Sequence, residues 1–151
     1  YKMVKLFFTF LIVLSNTFVA LSAHATVQEI SAVERLAFAD LTDELITCAV
    51  FYGIVGEGAS SSGHKWETSA EKSLQISEKL SLMAFNLGKM ANMKTETLLI
   101  KTQQATDLMG ESINYDGINI GILIKKYGEA CKFLNENPEE RFNYWLRKES
   151  E

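Results

Sequence analysis

Apolar residues along this chain recur at helical spacing in five blocks, and no stretch alternates apolar and polar with period two. The first block runs from about 31 to 55. In it Phe38, Leu41, Leu45, Cys48, Tyr52 and Val55 follow one another at intervals of 3, 4, 3, 4 and 3. That rhythm returns one side of a helix to the same neighbour at every turn. Ser31-Ala-Val-Glu34 precedes it and reads as a capping box, in which hydroxyl and carboxylate satisfy early backbone N–H groups. Gly56 and Gly58 follow it and are expected to stop the helix.

The second block spans about 68 to 92, with a capping box at Thr68-Ser-Ala-Glu71 and a stripe of Ile76, Leu80, Met83, Leu87 and Met90. The third, about 95 to 112, has the weakest stripe: Leu98, Ala105 and Met109, interrupted by Thr102. The fourth, about 118 to 134, carries Ile120, Ile124, Tyr127, Cys131 and Leu134. The fifth is short. Asn137-Pro138-Glu139-Glu140 predicts a helix start with Asn as N-cap and Pro at the first helical position, and Phe142, Trp145 and Leu146 form its apolar face.

The fold class expected is therefore all-α: an antiparallel four-helix bundle with a short fifth C-terminal helix. Connections are short except the twelve-residue segment Gly56 to Glu67. Cys48 and Cys131 both fall within the apolar stripes of their own helices, so two seams that meet would join the sulfurs in an interhelical disulfide.

The N-terminus points to export. Lys2 and Lys5 precede the apolar run Leu6 to Leu14, and Ala23-His24-Ala25 has the small residues of a cleavage site. Residues 1–25 are expected to be a cleaved signal peptide, with the uncleaved anchor as the alternative, and 26–151 a single helical domain in the periplasm or outside the cell. The apolar run falls short of the roughly 20 residues that span a bilayer. Loss of Lys2 and Lys5 takes the formal net charge from −4 to −6. Such a domain has no electrostatic reason to bind nucleic acid or an anionic membrane.

Composition leaves chemistry to a few motifs, and each fails a physical test. Gly58 to Gly63 gives G-x-x-x-x-G, but His64, Lys65 and Trp66 follow, so the lysine is one place late and no hydroxyl waits for Mg²⁺. Ser60, Ser61 and Ser62 lie too near His64 in sequence for triad geometry, and G-x-S-x-G is absent. One histidine after residue 25 excludes a di-iron bundle and a Cys/His zinc site. Met83, Met90 and Met93 suit Cu(I) on one helix side, or haem ligation with His64, but read more simply as core. Glu57 as a glycosidase acid wants a second carboxylate that the sequence does not nominate. Gly117-x-x-x-Gly121 suggests close approach of another helix. No cofactor or metal is assigned.

What remains is contact. His64 and Trp66 near one end, and Phe142 and Trp145 on the last helix, are the candidate partner-contact residues. The build is similar to that of small exported bacterial or phage-encoded helical proteins, immunity and inhibitor proteins among them. The expected function is non-enzymatic binding of a protein or cell-envelope partner. The alternatives are a small-ligand, metal or haem carrier and a cell-wall glycosidase.

Overall fold

The computed structural model describes residues 30–61 and 67–151. The expected signal peptide, His64 and Trp66 lie outside the described residues. Among the described residues five helices follow in order: α1 (Ala32–Ser61), α2 (Glu67–Met90), α3 (Thr95–Ser112), α4 (Ile120–Glu136) and α5 (Pro138–Lys148), with a 3-10 turn at Gly117–Asn119 before α4. No strand occurs among the described residues.

Helix α1 is the hub, packed against the other four helices and the 3-10 turn, with α2 as its most extensive partner. The reason is composition. Leu41 and Leu45 are buried on the expected stripe, and Ala37, Thr42, Ile46, Ala49 and Phe51 are buried beside it. A helix apolar on more than one side must be surrounded. Its start is the capping box that the sequence predicts. Ser31 N–H donates to Glu34 Oε2 at 2.8 Å and Glu34 N–H donates to Ser31 Oγ at 3.1 Å. Hydrogen bonding of the Glu34 carboxylate by Ser31, first by its backbone N–H and then by its hydroxyl, holds the carboxyl below its ordinary range.

The expected stop at Gly56 and Gly58 does not occur, and α1 runs on to Ser61. Both glycines serve close packing instead. A Cβ on Gly56 would lie 2.8 Å from Leu74 Cγ and 3.1 Å from the Ala70 carbonyl oxygen, and one on Gly58 would collide with the Ile120 side chain. One turn earlier, a Cβ on Gly53 would sit 3.2 Å from Ser77 Oγ, and that hydroxyl donates to the Ala49 carbonyl oxygen at 2.7 Å. Residue numbers rise along α1 as their partners fall along α2, so the two helices form an antiparallel hairpin. The link between them is correspondingly shorter than the sequence suggests.

Other boundaries shift for local reasons. Helix α2 begins at Glu67, which places Thr68 inside the helix rather than at its cap. Helix α3 matches its expected limits, and Thr102, the polar interruption, donates to the Leu98 carbonyl oxygen at 2.9 Å. On α4 the buried positions are Leu123, Cys131 and Leu134, whereas Ile124 is 51% exposed. The seam therefore turns one residue from the expected stripe in the first half of the helix. Gly121 has nothing within 4 Å of a Cβ position, so it does not admit a neighbouring helix. Asn137 precedes α5 but its side chain caps nothing there; its amide donates back to the Phe133 carbonyl oxygen at 3.4 Å.

The bridge between Cys48 and Cys131 is formed, with Cα atoms 5.2 Å apart and a sequence separation of 83. It ties α4 to α1 inside the core formed by Leu41, Leu45, Leu80, Leu98, Met109 and Leu123. No described helix is long and apolar enough to cross a membrane.

Candidate functional site

Among the concave regions of the described residues, two differ in chemistry. The first sits over the disulfide, where α1, α4 and α5 meet. It is a cleft of about 600 Å³ whose floor is the Cys48–Cys131 bridge and Leu134, with Tyr127, Ala130 and Phe133 along one wall. A second hollow of about 240 Å³ adjoins it between α1 and α3, and Asp43, Thr47 and Tyr127 line both. Five charged side chains face this region: Asp43 and Glu44 from α1, Lys101 from α3, Glu129 from α4 and Arg141 from α5.

Four of the five are paired. Lys101 Nζ donates to Asp43 Oδ2 at 2.6 Å. Arg141 Nε donates to Glu44 Oε2 at 2.6 Å and its Nη2 donates to Glu44 Oε1, the two-pronged geometry that suits a guanidinium. That hydrogen bond holds Arg141 still more firmly protonated. The guanidinium also lies 4.3 Å from the Tyr144 ring centroid and 5.3 Å from that of Trp145. Asp43 Oδ1 is shielded from solvent and has no hydrogen-bond partner among the described residues.

The second region lies at the far end of α1. Val55, Gly58 and Ala59 face Ile118, Ile120 and Ile124 across a groove of about 370 Å³, with Ser69 at its edge. Ile118 is 90% exposed, and Tyr115 and Ile122 stand exposed nearby in sequence. The sequence G-I-N-I-G-I-L-I places more isoleucines here than one helical seam can bury, a signal that the reading of this stretch as a glycine packing motif passed over.

The sequence-derived site residues divide between these places and others. Cys48 and Cys131 form the floor of the first cleft. Phe142 is half-buried and stacks on Phe38 of α1, with ring centroids 4.6 Å apart. Trp145 is half-buried against the core, Lys148 Nζ lies 4.3 Å from its ring centroid, and its Nε1 is shielded without a partner among the described residues. Met83 and Met93 pack against the core while Met90 is 40% exposed. Among the described residues no group of three His, Cys, Asp or Glu side chains is placed to hold a metal ion.

Two further groups are electrostatically perturbed. Asp40 of α1 is pushed above the ordinary carboxylate range, first by burial and then by the neighbouring Glu149 carboxylate. Burial, with Glu136 second, raises the Tyr52 hydroxyl. Asp43, Glu44, Lys101 and Arg141 escaped sequence reasoning because they are flank positions of helices whose charges carry no motif.

Comparison with protein-family models, with curated proteins and with solved structures matches this chain to none of them.

Proposed function

We propose that this chain is an exported, non-enzymatic helical protein that binds a protein partner, in an inhibitor- or immunity-type role, through the isoleucine groove at the far end of α1. The proposal takes α1 to α4 as an antiparallel bundle, with α5 as the short fifth helix. The observation that carries it is the groove lined by Ile118, Ile120 and Ile124, whose first member is 90% exposed. Contiguous aliphatic surface at the end of a small domain is costly in water and is characteristic of contact sites. The partner best suited to it presents an apolar anchor flanked by basic residues, because this chain holds 19 acidic side chains against 15 basic ones. The disulfide supports an oxidising compartment, consistent with the export signal.

The test uses Ile118→Asp and Ile124→Asp together. Both side chains are at least half exposed, so the double variant is expected to fold. Crosslinking in the native host should join the wild-type protein to one partner, and the double variant should lose that adduct while keeping its circular dichroism spectrum. An adduct of unchanged yield in the folded variant rejects this groove. Absence of any adduct beyond that of an unrelated exported control rejects partner binding itself.

A further inference from the structure

We infer that the cleft over the disulfide is a second binding site, independent of the isoleucine groove, and that its ligand is a small organic cation: a protonated amine or amidine on an apolar body. Its size comes first. About 600 Å³ lies within the range of roughly 300–1,000 Å³ typical of small-ligand pockets. The apolar body has a fixed seat, since the Cys48–Cys131 bridge and Leu134 make a covalently braced floor. Tyr127 and Phe133 offer ring surface beside it.

Charge decides the head group. Arg141 lines this cleft and Lys101 lines the adjoining hollow, and both cations are already engaged, Arg141 with Glu44 and Lys101 with Asp43. Glu129 has no ion-pair partner among the described residues. The set of three acids and two bases is therefore net negative, and an anion would meet no unengaged cation. Asp43 adds a specific acceptor. Its Oδ2 holds Lys101, while Oδ1 is unpartnered among the described residues, on a side chain that is itself 47% exposed and lines both hollows. A carboxylate accepts several hydrogen bonds. The terminal torsion of an aspartate is broad, so a small turn presents Oδ1 to the cleft. An N–H donor arriving there gains a charge-assisted hydrogen bond, and the flexible Lys101 side chain follows Oδ2 through the same turn.

The experiment titrates the whole chain with n-hexylammonium, followed by amide chemical shifts. Saturable shifts should appear at Asp43, Thr47, Tyr127 and Ala130. Hexyltrimethylammonium, with the charge but no N–H, and hexanoate, with the tail but the opposite charge, should each bind on the order of tenfold more weakly or worse, the usual worth of a charge-assisted hydrogen bond. Asp43→Asn should lose affinity by a similar factor, and Ala130→Phe, which fills the cleft and leaves both ion pairs, should abolish binding. Equal binding of hexanoate, unchanged affinity in a folded Asp43→Asn protein, or no saturable shift with hexylammonium overturns the inference. Should Asp43→Asn fail to fold, Glu129→Gln decides. It removes charge without breaking a pair, so a several-fold loss supports the cation site and an unchanged affinity overturns it.

Discussion

At the scale of single residues, two carboxylates of one helix are driven in opposite directions by their surroundings. Glu34 is held down by hydrogen bonds from Ser31, whereas Asp40 is raised by burial and by Glu149. Lys148 acts against the rise at Asp40 and Asp43 adds to it. An acid whose folded pKa is raised binds its proton more tightly in the native state than in the unfolded one. Stability linked to Asp40 is therefore greatest below its unfolded pKa. It falls as pH rises through the window up to the folded value, and the full penalty applies above that. Asp40→Asn removes the penalty. Urea midpoints of the variant should exceed those of wild type at neutral pH, and the difference should shrink at about pH 3, below the unfolded aspartate pKa. A difference that does not change with pH would mean that the Asp40 charge is not its source.

At the scale of elements, glycine shows why boundaries were less legible than helices. The 3-4 rhythm revealed α1, α2 and α4, a weaker stripe marked α3, the Asn-Pro-Glu-Glu start marked α5, and the capping box at Ser31 placed the start of α1 correctly. Gly56 and Gly121 looked alike in sequence, one a stop and the other a packing site, and tertiary neighbours reverse both readings. Gly56 sits under Leu74 and Ala70, while Gly121 faces open space. The substitutions should accordingly have opposite signs. Alanine gains up to about 1 kcal/mol over glycine in a helix interior. At Gly121 nothing opposes that, and because this residue is in the first turn of α4 the gain is part of the interior value, so Gly121→Ala should stabilise by about 0.5 kcal/mol. At Gly56 the new methyl is overpacked against a backbone oxygen, which typically costs about 1–3 kcal/mol and outweighs the gain. Gly56→Ala should lower the thermal midpoint and Gly121→Ala should raise it. Two shifts of the same sign would sink this account of the α1–α2 contact. The same logic explains α4: periodicity identified the helix, but which neighbour covers it decided that Leu123 is buried and Ile124 exposed.

At the scale of the molecule, the covalent tie between α1 and α4 connects the fold to both proposed sites. Cys48 and Cys131 were legible because each lay on an apolar stripe. The charged cleft above them was not legible, because Lys101 and Arg141 reach Asp43 and Glu44 across 58 and 97 positions of sequence. Direct packing of α4 on α1 is modest beside that of α2, so the bridge is a principal restraint on α4 and on the cleft floor. Closing a loop across 83 positions restricts the unfolded chain by roughly 4.5 kcal/mol, a large share of the stability of a small domain. The unreduced protein should have a mass two hydrogens below that of the dithiol chain. Reduction should lower its thermal midpoint by many degrees. Under a reducing agent, hydrogen exchange should accelerate first in α4, and the α1–α2 hairpin should keep more of its protection, because their close small-residue contact does not depend on the bridge. Uniform loss of protection across all five helices would instead show that the bridge supports the whole core rather than one face of it.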